Sequence, residues 1–204
     1  MDASRRLTHG LEKMGISLDA ETCKTQVQYL ELIQKWNKVY NLTAITDLDQ
    51  MVVRHLLDSL SILPFIDDTP ILDVGTGAGL PGIPLALARP EYEFVLLDSN
   101  GKKTRFLTQV KIELDIDNID IIHSRIEDYR PSKTFSIVTC RAFAEINTIL
   151  ERTQHLLTSE TRILAMKGKQ ELPVLEAGFK QVDSHPLQVA WLNEERQLIE
   201  IRTT

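Results

Sequence analysis

The stretch ILDVGTGAGLPGIP, residues 71–84, decides the fold of this chain. Its first four residues predict a short buried strand, and Gly75, Gly77, Gly79 and Gly82 follow in a turn. Glycine lets a backbone bend sharply and approach a ligand closely, because it has no Cβ. A helix is expected after the turn, and N–H groups near its start can receive polar or anionic groups. The segment therefore predicts a strand, a ligand-binding loop and a helix.

Short apolar runs recur after this unit, and helical stretches such as 101–115 and 144–157 separate most of them. Alternating strands and helices imply a parallel sheet covered on both faces. We therefore predict a doubly wound α/β fold with a mostly parallel, seven-stranded, Rossmann-like sheet; if an antiparallel pair ends it, this is the layout typical of S-adenosylmethionine-dependent methyltransferases. The further strand candidates are FVLLD (94–98), IDIIHS (119–124), FSIVTC (135–140) and RILAMK (162–167).

The two ends of the chain differ from this alternating middle. Residues 1–65 predict a helical extension, with one helix ending at residues 41–43 and Asp47 or Asp49 capping the next. At the other end, FKQVDSHPLQV (179–189) and QLIEIR (197–202) have no helix between them, which indicates an antiparallel pair. We predict an extension over 1–65 and a methyltransferase domain over 66–204, forming one compact unit.

Composition is typical of a globular protein, with 43% hydrophobic and 25% charged residues among 204. No run approaches the roughly 20 apolar residues of a membrane span, and the N-terminus lacks the apolar region of a signal peptide. Cys23 and Cys140 fit no metal spacing, so we expect buried thiols, no metal and a cytoplasmic monomer. The net charge of −6 argues against a dedicated nucleic-acid module, although residues 101–111 carry four positive charges and no negative ones.

Asp98 ends the second strand, nineteen residues after Gly79, where a carboxylate can accept both hydrogen bonds of a ribose diol. A helix cap is the alternative role for this residue. The glycines also satisfy the dinucleotide pattern G-x-G-x-x-G. Asp73 favours S-adenosylmethionine instead, because an acid two residues before Gly75 suits a cationic ligand and would repel a pyrophosphate.

Seven collinear motifs resemble one family, the bacterial 16S ribosomal RNA guanine-N7 methyltransferases, also called RsmG or GidB. The glycine motif is shared widely among methyltransferases, whereas its combination with the other motifs is far more specific. The motifs are KWNKVYNLTAI (35–45), RHLLDSL (54–60), LDVGTGAGLPGIPLA (72–86), LLDSNGKKTRFL (96–107), SRIEDY (124–129), CRAFA (140–144) and LAMKG (164–168).

The resemblance implies methylation of one guanine of small-subunit 16S rRNA, numbered 527 in the reference RNA. It also implies S-adenosylmethionine as the donor. The residues expected to bind the donor are Gly75, Thr76, Gly77, Gly79, Leu80, Asp98, Ile126, Glu127 and Arg141.

Guanine N7 carries a lone pair and no proton, so the reaction needs no general base. We therefore expect Arg141 and Lys167 to act as the catalytic residues by holding charge, Arg141 on the donor or a phosphate and Lys167 on RNA phosphate. The alternative for Arg141 is a salt bridge to Glu127 or Asp98. The residues expected to meet RNA are Arg54, His55, Asp58, Ser59, Lys102, Lys103, Arg105 and Lys167.

Plainer interpretations stay open for several of these residues. Arg54 and Asp58 are four apart and could form a surface ion pair on the polar side of one helix. The lysines and Arg105 could each be solvated, and Trp36 and Tyr40 suit core packing better than base stacking. A methyltransferase for a small molecule or protein, and a nucleotide-binding regulatory protein of the same fold, are the competing functions.

Overall fold

The computed structural model describes residues 2–141, 145–169 and 179–203. Its centre is a seven-stranded sheet in the order β3-β2-β1-β4-β5-β7-β6. Strands β1 to β5 are parallel, and β7 pairs antiparallel with both β5 and β6. The strands are β1 (Ile71–Val74), β2 (Phe94–Asp98), β3 (Ile119–His123), β4 (Ile137–Arg141), β5 (Arg162–Gly168), β6 (Phe179–Leu187) and β7 (Arg196–Thr203).

The helices follow the predicted alternation in the middle of the chain and fill its first 65 residues. A π-helical segment, Val52–Leu57, joins α3 to α4, and short 3-10 turns lie at Leu63–Phe65, Ile126–Asp128 and Gln154–Leu156. The helices are α1 (Ala3–Lys13), α2 (Ala20–Tyr40), α3 (Leu48–Met51), α4 (Asp58–Leu60), α5 (Gly82–Ala88), α6 (Gly101–Glu113) and α7 (Ile146–Thr153).

The ends of the N-terminal helices follow the sequence signals. Asn41 takes the left-handed conformation, φ 50°, and ends α2 as expected. Asp47 accepts a hydrogen bond from the Gln50 N–H and caps α3. Trp36 and Tyr40 stack on each other at 5.4 Å and pack against the core, in agreement with the packing interpretation.

Two apolar cores lie on opposite faces of the sheet. The larger core joins α1, α2 and the Val52–Leu57 segment to β1 and α5, with Tyr29, Leu57 and Ile83 inside it. The smaller core lies under α7 and includes Val138 and Ile149. Burial on both faces stabilises a parallel sheet, and it fixes the carboxyl ends of β1 to β5 at one edge.

The predicted strands and the terminal antiparallel pair are confirmed. The order reverses between β1 and β4, which makes this the switch point where ligands bind in open α/β sheets. Both cysteines are buried free thiols. Three residues of the CRAFA motif, 142–144, lie outside the described residues.

Candidate active site

The glycine loop between β1 and α5 adopts backbone conformations that residues with a side chain rarely take. Gly75, Gly77 and Gly79 have φ values of 67°, 64° and 99°. A Cβ on Gly79 would lie 2.5 Å from Ile83 Cγ1, and one on Gly82 would lie 2.3 Å from Leu96 Cδ2. A Cβ on Gly77 would meet only a carbonyl and Lys103 Nζ, both at 3.8 Å. Space therefore opens beside Gly77, whereas Gly79 and Gly82 are required by packing.

Asp73 holds this loop from below rather than facing a ligand with both oxygens. Its Oδ2 accepts from Thr76 Oγ1 at 2.6 Å and from the Gly82 N–H at 2.9 Å. Its Oδ1 is buried without a hydrogen-bond partner in the protein. Burial raises the pKa of the Asp73 carboxyl to about 6. Oδ2 therefore serves the loop itself, and the interaction of Asp73 with a cationic ligand stays a prediction.

Helix α2 buttresses the same loop from the opposite side. The Tyr29 hydroxyl donates to the Ala78 carbonyl at 2.7 Å, and Gln26 Nε2 donates to the Pro84 carbonyl at 2.8 Å. Both side chains are fully buried. Burial also raises the pKa of the Tyr29 hydroxyl well above its usual value, so the group stays a donor. The helical extension therefore shapes the loop directly.

A cleft of about 290 Å³ opens at the carboxyl ends of β1, β2 and β3, and we call it the donor cleft. It brings together four predicted donor residues, Gly75, Asp98, Ile126 and Glu127. The residues that line it are Gly75, Leu97, Asp98, Ser99, Lys103, Ser124, Arg125, Ile126, Glu127 and Arg152.

Asp98 lies at the floor of the donor cleft with its carboxylate already engaged. Its Oδ2 accepts from the Gly77 N–H at 2.9 Å, and its Oδ1 accepts from the Asn100 N–H at 2.8 Å. Lys103 Nζ lies 3.7 Å from Oδ2. A carboxylate oxygen has two lone pairs, so each can accept a second bond from a ribose hydroxyl.

The other predicted donor residues do not line this cleft, and Glu127, which does, is bound to a neighbouring side chain. Thr76, Gly79 and Leu80 are buried inside the loop. Glu127 is exposed and pairs with Arg152 at 3.3 Å. Arg141 points elsewhere, so its predicted pairing with Glu127 or Asp98 is corrected.

Arg141 belongs to a second cleft of about 390 Å³ on the β4 and β5 side of the switch point, which we call the arginine cleft. Its Nη1 donates to Asp58 Oδ2 and to the Arg54 carbonyl, both at 2.9 Å. Lys167, at the end of β5, lines the same cleft. The lining residues are Ile45, Arg54, His55, Asp58, Arg141, Met166, Lys167, Gly168 and Arg196.

The predicted surface pair of Arg54 and Asp58 does not form. Arg54 binds Glu194 instead, and Asp58 is 5% exposed and binds Arg141 and Arg196. The expected polar face is also corrected, because His55, Asp58 and Ser59 are all buried. The Val52–Leu57 segment is buried in the larger core except at Arg54, whose side chain is 39% exposed, so its buried polar side chain needs an internal partner.

His55 shows how such a buried polar group is held. Its Nε2 lies 3.0 Å from Thr43 Oγ1, and its Nδ1 has no partner. Burial, followed by the nearby positive charge of Arg141, lowers the pKa of the His55 imidazole to about 4. The imidazole is therefore neutral at pH 7.

The basic stretch at the start of α6 divides between the surface and the donor cleft. Lys102 and Arg105 are exposed, whereas Lys103 lines the donor cleft beside Asp98. Lys111 donates to the Ile119 carbonyl and so fastens α6 to β3. Of the four predicted surface charges, Lys102 and Arg105 in the first turns of α6 are therefore the two on the open surface.

Sequence reasoning missed Arg196, which lines the arginine cleft, and Glu194, which pairs with Arg54 and Arg196 beside it. Arg196 reaches Asp58 because β7 runs antiparallel to β5 and places Arg196 opposite Gly168. Arg152 was also missed, since it reaches the donor cleft from α7. No local motif marks these residues, because their positions depend on long-range register.

Among the residues described, no group of three or more His, Cys, Asp or Glu side chains could hold a metal ion. None of the described helices is both long and apolar enough to span a bilayer.

Known proteins resemble the chain along nearly its whole length. A family model named GidB, described as rRNA small subunit methyltransferase G, matches residues 22–199. The ribosomal RNA small subunit methyltransferase G of Stutzerimonas stutzeri is 48% identical over 206 residues, covering 98% of this chain and 96% of that protein. The protein of the same name from Nitrosococcus oceani is 47% identical over 199 residues, covering 96% and 93%.

The fold likeness extends beyond these relatives. A SAM dependent methyltransferase from Aquifex aeolicus superimposes with a TM-score of 0.56 at 15% identity, covering 72% of this chain and 91% of that chain. At that identity the comparison concerns the fold alone.

Proposed function

We propose that this chain, which belongs to the GidB family of rRNA small subunit methyltransferase G, transfers a methyl group from S-adenosylmethionine to guanine N7 of 16S rRNA. One observation carries the proposal. The donor cleft and the arginine cleft lie at the same edge of the sheet, on either side of the switch point. Such an arrangement suits a small donor on one side and a phosphate-bearing acceptor on the other.

The donor cleft fits S-adenosylmethionine in its shape and in its chemistry. Gly77 leaves open space beside the loop, and Asp98 retains lone pairs for a ribose diol. Ile126 offers an apolar surface for an adenine ring, next to the exposed Glu127. When bound, S-adenosylmethionine supplies an electrophilic methyl group.

The arginine cleft fits an acceptor that needs no deprotonation. His55 is the histidine that lines it, and its lowered pKa leaves the imidazole neutral and hydrogen-bonded to Thr43. Asp58 is occupied by two arginines and is not available as a base. Arg141 and Lys167 instead offer positive charge at the ends of β4 and β5, which suits an RNA phosphate near the reacting guanine.

We also propose that the enzyme is a monomer. Seven lysines and arginines line the two clefts against three acids, although the net charge of the whole chain is −6. A local basic surface is sufficient for an enzyme that recognises a pre-folded RNA. The family's substrate also supports a cytoplasmic location beside the ribosome.

The deciding experiment supplies methyl-labelled S-adenosylmethionine with small ribosomal subunits, free 16S rRNA or bulk protein. We expect label in 16S rRNA, at N7 of a single guanine, and none in protein. Label in protein or in small molecules alone would support the competing methyltransferase functions.

A pH profile separates N7 from other acceptors. The rate should show no essential base near neutrality, because the N7 lone pair is already free. A steep rise around pH 7, abolished by changing one acid or histidine in the clefts, would mean that a proton must be removed. The N7 assignment would then be wrong.

A further inference from the structure

Glu194 does not line the arginine cleft itself, but its carboxylate forms a two-pronged ion pair with Arg54, which does. Its two carboxylate oxygens accept from Arg54 Nη1 at 2.9 Å and from Arg54 Nη2 at 2.5 Å. Arg196 Nη2 adds a third bond to Glu194 at 3.1 Å. The carboxylate thus sits between two guanidinium groups that come from different ends of the chain.

This geometry is the one that arginine also uses for phosphate. The planar fork of a guanidinium matches two oxygens of a carboxylate or of a phosphate group equally well. A phosphodiester could therefore occupy the position of the Glu194 carboxylate and satisfy the same donors of Arg54 and Arg196.

Asp58, on the buried side of the cleft, holds the arginine side chains in orientations that suit such an anion. It accepts from Arg196 Nε at 3.2 Å, which leaves the Nη2 atom directed to Glu194. Arg141 pairs with the other oxygen of Asp58. Without Glu194, three arginine charges face one carboxylate charge, and the local sum of these four groups is positive.

The ion pair between Arg54 and Glu194 is exposed, so another anion can take the place of the Glu194 carboxylate. The side chains of Arg54 and Glu194 are 39% and 47% exposed. Exposed ion pairs contribute little stability, because water screens them and long side chains lose freedom in forming them. An RNA phosphate arriving with its neighbours in the strand can therefore displace the carboxylate.

We infer that Arg54 and Arg196 form a phosphate-binding site for the RNA strand, and that Glu194 occupies this site as an internal competitor in the free protein. The inference rests on the proposed function, since it concerns the acceptor of that reaction. It assigns Arg196 and Glu194 roles that neither the motifs nor the family comparison supplies.

The test replaces Glu194 by Gln, which keeps the shape and removes the negative charge. We expect 16S rRNA to bind E194Q about threefold to fivefold more tightly than the wild type, because an exposed ion pair of ordinary strength no longer competes. The KM for rRNA should fall correspondingly, with the effect on KM rather than on kcat. A purely structural role of Glu194 would leave rRNA affinity unchanged or weaken it.

Glu195→Gln is the matched control. Glu195 is adjacent and exposed, and its side chain pairs with Lys169 at 2.9 Å rather than with Arg54 or Arg196. It removes the same charge, so any gain shared by both variants is a general effect of net charge. Adding Arg54→Ala to E194Q should abolish the gain. Equal rRNA affinities for E194Q and E195Q would overturn the inference.

The rRNA titration is performed without S-adenosylmethionine, so its result does not depend on methyl transfer. If the wild type methylates no RNA while E194Q binds rRNA more tightly than E195Q, the proposed function fails and the phosphate site stands. If the wild type methylates rRNA and the two variants bind alike, only the phosphate site fails.

Discussion

Asp58 Oδ2 lies 2.9 Å from Arg141 Nη1, and this contact joins the helical extension to the end of strand β4. The other oxygen of Asp58 accepts from Arg196 at 3.2 Å, at the start of β7. One buried carboxylate therefore fixes two arginines that are 55 residues apart in the chain. Its role concerns the geometry of the arginine cleft as much as the stability of the fold.

Replacing Asp58 by Ala should lower both stability and methyl transfer. Removing one partner of a largely buried ion pair leaves the other charge uncompensated, and we expect a loss of about 3 kcal/mol in the free energy of unfolding. Denaturant unfolding measures this loss. Asp49→Ala is the control, because Asp49 is 44% exposed and lies 3.7 Å from Arg6. It should cost about 1 kcal/mol or less. Equal losses in the two variants would contradict a central role for Asp58.

Asp98→Asn should weaken binding of S-adenosylmethionine and of its demethylated product by about 1–3 kcal/mol, because a charged acceptor for the ribose is lost. Asn is preferred to Ala here, since Asp98 also accepts from the Gly77 and Asn100 N–H groups. Calorimetry measures both affinities. Asp120→Asn, on the exposed face of β3, should leave them unchanged. Unaltered affinity in Asp98→Asn would reduce Asp98 to a residue that only fixes the loop.

The strands could be predicted closely from the sequence because their signal is local. ILDV and FVLLD match β1 and β2 residue for residue, since a buried parallel strand needs a continuous apolar run. The donor cleft was largely predictable for the same reason. Gly75 and Asp98 directly follow or end these strands, and parallel strands bring their carboxyl ends together.

The arginine cleft was only half predictable, because its contacts join distant parts of the chain. Arg141 and Lys167 end strands and could be identified, whereas Arg196 depends on the antiparallel register of β7 on β5. His55 and Ser59 were expected on a polar face. They are buried because the Val52–Leu57 segment and α4, which follows it, pack into the larger core, and residue type alone does not indicate this.

Lys167→Ala should weaken rRNA binding and make it less sensitive to salt. Each phosphate contact releases about one counterion, so the slope of log affinity against log salt should become shallower by about 1. A titration of 16S rRNA at several salt concentrations measures the slope. Lys133→Ala is the control, because Lys133 pairs with Glu93 at the opposite edge of the sheet. An unchanged slope in Lys167→Ala would exclude a phosphate contact for this lysine.

His55→Gln should change how stability depends on pH. The imidazole has a pKa of about 4 in the folded protein and 6.5 ordinarily, so between these values the unfolded chain binds the extra proton. Acid therefore destabilises the wild type through His55, and stability from this group is complete above pH 6.5 and lost as pH falls towards 4. We subtract the free energy of unfolding of His55→Gln from that of the wild type. This difference should increase by about 3 kcal/mol as pH is raised from 4 to 6.5.

This difference is more informative than the wild-type profile alone. Burial raises the pKa of Asp73 to about 6, so Asp73 contributes stability that is lost as pH rises from 3.8 to 6, opposite in sign to His55. Both proteins contain Asp73, and its contribution cancels in the subtraction. A difference that is flat between pH 4 and 6.5 would show that His55 titrates normally in the folded protein.

The hydrogen bond from Tyr29 to the Ala78 carbonyl connects the helical extension to the glycine loop, so donor binding depends on both parts of the chain. The glycine loop takes part of its order from α2, a helix that begins more than fifty residues before it. The two effects are thermodynamically reciprocal. An interaction that stabilises the packing of α2 on the loop increases the affinity for the donor, and donor binding stabilises that packing by the same factor. An acceptor RNA that binds the helical extension would therefore bind cooperatively with the donor, through α2 and in addition to the direct contact that methyl transfer requires.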